Sequence, residues 1–177
     1  MVAEKTRHCA GSIIGVIVVL GILGILFIYS GIYNVSATYP DNALSEWVLS
    51  TTMDHSVQHH AADIKTPALD DPEMVKIGFG HYRQMCAGCH GAPGVPKKAR
   101  GFNPEPPDLV EEAAEWKANE LFWITRNGIR MSGMPAWGVS HSDKEIWEIV
   151  AFMQKLPSMK PAEYQALDRQ VPRMKMP

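Results

Sequence analysis

Cys86-Ala87-Gly88-Cys89-His90 places two thiols and an imidazole within one short run of chain. The pattern is C-x-x-C-H, and its chemistry explains its spacing. Two thiols can add to the two vinyl groups on one edge of a porphyrin, provided a short loop brings both sulfurs there. The histidine directly after the second cysteine then lies under the iron as its proximal ligand. A thioredoxin-like redox pair would need a βαβ pattern, which the surrounding residues lack. Half of a zinc site would need further Cys or His at ligand spacing. With three cysteines among 177 residues, the odd count also argues against a disulfide framework. The pattern therefore predicts one covalent haem c, with His90 as metal ligand.

A ligand on the other side of the iron must come from elsewhere. Met131 and Met134 lie in Met131-Ser132-Gly133-Met134-Pro135-Ala136-Trp137-Gly138. From His90 to Met134 the chain advances 134 − 90 = 44 positions, enough to wrap round a haem. A thioether is a soft, neutral ligand that favours Fe(II) and raises the reduction potential. There are 10 methionines, so residue type alone does not choose between these two.

The elements that must position these groups read as helices. Met74, Ile77, Gly78, His81, Tyr82 and Met85 follow helical spacing after Asp71-Pro72. Trp116 to Asn127 reads as a middle helix, on which Phe122 and Trp123 are core candidates. Ser142-Asp143-Lys144-Glu145 is a capping box ahead of the apolar stripe Ile146, Ile149, Val150 and Met153, and Pro157 is the stop. The loop from Ala92 to Pro106 carries Lys97, Lys98 and Arg100, candidates for pairing with haem propionates.

From about Asp71 to Leu156 the sequence resembles the class I c-type cytochromes, small helical monohaem domains. The likeness rests on five features in the family's order: Gly78-x-x-x-Tyr82, Cys86-x-x-Cys89-His90-Gly91, Pro107-Asp108-Leu109, Asn127-Gly128 with Gly133-Met134-Pro135-Ala136-Trp137, and a closing amphipathic helix ending at Leu156-Pro157. The resemblance implies Met134 rather than Met131 as the second axial ligand. It implies that the Pro107 carbonyl accepts a hydrogen bond from the His90 ring. It also implies that the first and last helices cross, with Gly78 and Tyr82 against the helix around Phe152.

The rest of the chain organises this domain at a membrane. Gly11 to Tyr33 contains no charged residue. As a helix it would span about 34 Å at roughly 1.5 Å per residue, enough for a hydrocarbon core of about 30 Å. Lys5 and Arg7 precede it, which puts the N-terminus in the cytoplasm and the haem domain in the periplasm of a bacterial inner membrane. A signal peptide cleaved near Val35-Ser36-Ala37 is the rival reading, but its apolar core usually runs only about 7–15 residues. Cys9 lies on the cytoplasmic side of the span. Pro40 to Pro67 reads as a short helix capped by Asp41, with Leu44, Trp47, Val48 and Thr51 on a face suited to a membrane surface or a partner. His55 and His59 share a helical face, and a second metal or haem site there is the minor reading.

The expected organisation is all-α: residues 1–10 cytoplasmic, 11–33 transmembrane anchor, 34–70 juxtamembrane helix and linker, 71–157 cytochrome c domain, and 158–177 a loosely ordered tail containing Met159, Met174 and Met176. A formal charge of −2 gives no field for nucleic acid. The expected partners are a redox protein donor and acceptor, with no small-molecule substrate. The expected role is electron transfer between a quinol-oxidising complex or dehydrogenase and a terminal oxidase or reductase. A fixed haem subunit of a larger membrane oxidoreductase and a haem-based ligand sensor are the alternatives.

Overall fold

The computed structural model describes residues 2–173, with side chains from residue 12. Met174 and Met176 of the expected Met-rich tail lie outside the described residues, as does the Cys9 side chain. The chain divides into two compact units, residues 1–39 and 40–177.

The first unit is helix α1, Val2–Ser30. Its segment Ser12–Ser30 has a mean hydropathy of 2.8 and is long and apolar enough to cross a membrane. The helix stops at Ser30 because Gly31 adopts φ +67°, so Gly31 to Tyr33 of the expected span lie beyond it.

Among the described residues, the regular elements of the second unit are helices, apart from an isolated bridge between Ala92 and Val95. Helix α2 spans Ala43–Ala61 and is capped by Asn42, whose Oδ1 accepts from the Ser45 amide at 3.0 Å. The expected cap, Asp41, sits one residue too early for that bond. Helix α3, Pro72–Met85, is capped by Asp71, with Pro72 at its first position. A single turn, α4 (Ala87–His90), follows it. Helices α5 (Leu109–Glu112), α6 (Ala118–Asn127), α7 (Asp143–Met153) and α8 (Pro161–Gln170) complete the unit.

The core is the crossing of α3 and α7. Their backbones meet at Gly78, where any Cβ would run into the Glu148 carbonyl. Phe79, Tyr82, Ile146, Ile149, Val150 and Phe152 are fully buried around that crossing. Phe152 lies 5.4 Å from Phe79 and 5.2 Å from Tyr82, ring centre to ring centre.

Two segments depart from expectation. The tail expected to be loosely ordered is helical over α8, and its Tyr164 is buried 5.1 Å from Phe79. Arg83 holds it by donating to the Asp168 carboxylate at 2.8 Å and to the Val171 and Pro172 carbonyls. Helix α2 packs on α6 through its second half, a seat the sequence did not foretell. Val57 and Ala61 are buried, and the His60 ring stacks on Trp123 at 5.6 Å.

Candidate functional site

The C-x-x-C-H run folds as a helical turn, which decides where its side chains point. The Cys86 amide caps α3 by donating to the Tyr82 carbonyl at 2.8 Å, and the His90 amide donates to the Cys86 carbonyl at 2.9 Å. Cys86, Cys89 and His90 are thus spaced i, i+3 and i+4, the spacing that puts side chains on one helical face. Gly91, at φ +72°, ends the turn, and its carbonyl accepts the buried Tyr82 hydroxyl at 2.7 Å. The following loop folds back on the motif, since the Lys98 and Ala99 amides both donate to the Gly88 carbonyl.

The three side chains open on a cavity of about 330 Å³. Its walls are mainly apolar, and include Leu109, Leu121, Ile124, Trp137 and Met153. Met134 lines the same cavity. Its loop is shaped at Gly128, whose φ of +66° and missing Cβ let Met134 to Ala136 pass against it. The Ile129 amide donates to the Met134 carbonyl, and the Met134 amide donates to the Ser132 hydroxyl at 3.1 Å. Met131 is 90% exposed and lies on a residue with φ +60°. The structure therefore brings Met134, not Met131, together with Cys86, Cys89 and His90.

His90 Nδ1 lies 2.9 Å from the Pro107 carbonyl oxygen. A carbonyl can only accept, so Nδ1 carries the proton and Nε2 keeps its lone pair in the neutral ring. Burial pushes the His90 pKa down, against the opposing pull of that carbonyl. The net lowering and the proton fixed on Nδ1 suit an iron ligand, which must be neutral at the metal-facing nitrogen. Burial drives the Cys86 thiol the other way, up to about 12.

Lys97 donates to the Pro106 carbonyl at 2.9 Å and pairs with Glu105 at 2.9 Å. It thereby braces the strand of loop that presents the Pro107 carbonyl. Phe122 and Trp123 do not line the cavity: Phe122 stacks on Trp147 at 4.2 Å, and Trp123 meets His60. The cavity face of α6 is Leu121, Ile124 and Thr125. His55 and His59 are exposed, and the described residues contain no cluster of three or more His, Cys, Asp or Glu able to hold a metal ion. Met53 of α2 also lines the cavity. Its spacing with Val57 and Ala61, four residues apart, was the only sign of this in the sequence.

Residues 73–153 match the family model described as cytochrome c oxidase, cbb3-type, subunit III. The segment is a c-type cytochrome domain. Its cofactor is haem c, an iron porphyrin held covalently. The cavity fits that group on its own evidence: two free thiols and a neutral imidazole face one apolar space that also receives a thioether. No solved structure matches the chain. The matched segment of the cytochrome excludes α1, α2 and α8.

Proposed function

We propose that this protein is a membrane-tethered, single-haem cytochrome that passes one electron at a time on the periplasmic side of a bacterial inner membrane. The observation that carries this is the convergence of Cys86, Cys89, His90 and Met134 on one cavity. Cys86 and Cys89 would form the thioether bonds, and His90 and Met134 would ligate the iron. Bound haem c supplies reversible one-electron iron chemistry. The chain's own residues do the rest. His90 is oriented through Pro107, Met134 is held by Ser132 and Gly128, and the apolar walls keep water out. If His90 and Met134 both held the iron, no place would remain for a substrate.

The span Ser12–Ser30 supports the tether, which confines the search for redox partners to a plane and raises their effective concentration. Donor and acceptor in this reading are a quinol-oxidising complex or dehydrogenase and a terminal oxidase or reductase of a respiratory chain.

A second reading, a fixed haem subunit of a larger oxidoreductase, is favoured by the description of the matching family as an oxidase subunit. Extraction of the full chain in mild detergent separates the two. A free carrier elutes alone and has one pyridine haemochrome per chain. Co-elution with other subunits in constant ratio establishes the second reading. An extracted protein whose intact mass lacks residues 1–37 removes the tether from both.

A further inference from the structure

Helix α2 lies outside the matched segment, yet it forms part of the cavity wall. Its attachments fix its course. Just before its N-terminus, Asp41 accepts a hydrogen bond from Asn103 at 3.3 Å, next to Phe102, another cavity residue. At its far end, the Ala61 carbonyl accepts from Asn119 Nδ2 at 2.8 Å, and the His60 ring lies flat on Trp123 with an interplanar angle of 8°. Asn119 and Trp123 belong to α6, whose opposite face lines the cavity. So α2 is tied at one end beside Phe102 and at the other to α6, both of which contribute to the cavity wall. Met53 stands between the two attachments, half-buried, and lines the cavity itself. Met53, Val57 and Ala61 form its inward stripe, and the last two are buried.

We propose that α2 is a clasp across the haem cavity, and that Met53 is a positioning residue that keeps water from the cofactor and so raises its reduction potential. This rests on the reading of the cavity as the haem site. The oxidised iron carries one more positive charge than the reduced. Water stabilises that charge and a thioether does so poorly, so a covered cofactor favours the reduced state. An unbranched, polarisable methionine can fill an irregular gap against a planar group without demanding one shape.

The test is a redox titration of the full-length holoprotein in detergent, wild type against Met53→Leu, Met53→Ala, Met53→Gln, Met53→Glu and Met53→Lys, followed by the haem absorption. Met53→Leu refills the gap and titrates with the wild type, whereas Met53→Ala admits water and titrates lower. Glu and Lys shift in opposite directions about Gln. They differ by at least tenfold in the reduced-to-oxidised ratio at fixed poise, about 59 mV for a one-electron couple. Damage to the fold would move both charged variants the same way. Coincident titrations of Ala with wild type, or of Glu with Lys, overturn the proposal. Should the charged variants fail to accumulate, the Ala and Leu comparison decides alone. A wild-type protein without covalent haem in the pyridine haemochrome assay instead defeats the underlying reading of the cavity.

Discussion

Gly78 lies directly against the main-chain carbonyl of Glu148, so close that a single added methyl has nowhere to go. The obstacle is backbone on a buried helix, not the movable end of a side chain. Gly78→Ala must therefore push α3 and α7 apart and disturb Phe79, Tyr82 and Phe152 at their crossing. The expected cost is about 3 kcal/mol, the upper end for overpacking a core. Guanidinium unfolding of the holoprotein, followed by far-ultraviolet circular dichroism, measures it. An unchanged midpoint would mean that the helices do not cross at this contact.

The same contact shows what was legible beforehand. Gly78, Tyr82 and the stripe Ile146, Ile149, Val150 repeat at helical spacing, so their helices and buried faces could be read from local order. Asp71 and Ser142 announce their helices by capping chemistry that reaches only two or three residues along the chain. The seats of α2 and α8 were not legible, because their partners are remote. Arg83 meets Asp168 across 85 positions, and Ala61 meets Asn119 across 58. A polar tail with three prolines looks unstructured until Phe79 and Phe152 supply a surface for Tyr164. The choice of Met134 over Met131 came from the resemblance alone. Its physical basis, the left-handed Gly128 and the exposed Met131, appears only in three dimensions.

That difference between the two methionines can be measured by spectroscopy. Met134→Leu removes the sulfur that faces the cavity. It should abolish the weak long-wavelength sulfur-to-iron band of the oxidised protein and let the reduced protein bind carbon monoxide. Met131→Leu should leave both properties unchanged, since that side chain is 90% exposed. Immediate carbon monoxide binding by the wild type would replace the carrier reading with that of a sensor.

His81 gives the domain an acid-side dependence. It is buried on α3, with its ring 5.4 Å from that of His141, while His141 lies 5.6 Å from Trp137 on the cavity wall. Burial first, and His141 second, lower the His81 pKa below its ordinary 6.5, and Glu145 only partly opposes them. Below about pH 6.5 the unfolded chain takes up a proton at this position more readily than the folded one. Stability therefore falls as pH drops from that value toward the lowered folded pKa, and is fully present above it. His81→Asn should flatten the slope of unfolding free energy between pH 6.5 and 5. If both proteins show the same slope, His81 is already protonated in the fold.

Arg83 makes a prediction about how the C-terminal helix is held. Its guanidinium reaches one carboxylate and three main-chain carbonyls, and lies 5.2 Å over the Phe79 ring. Asp168 is more than half exposed, so the ion pair itself contributes little, about 0.5 kcal/mol. The carbonyl bonds and the packed stem contribute more, because the Arg83 side chain is largely buried. Asp168→Asn should thus cost about 0.5 kcal/mol. Arg83→Ala should cost about 2 kcal/mol, in the range for losing hydrogen bonds to a charged group. Arg83→Lys should recover only part of that, having no planar fork to span Asp168 and Pro172. Limited tryptic proteolysis after Arg169 reads the loosening locally. Cleavage should quicken in Arg83→Ala and barely change in Asp168→Asn. Equal effects of the two substitutions would show that charge, and not the carbonyl contacts, secures α8.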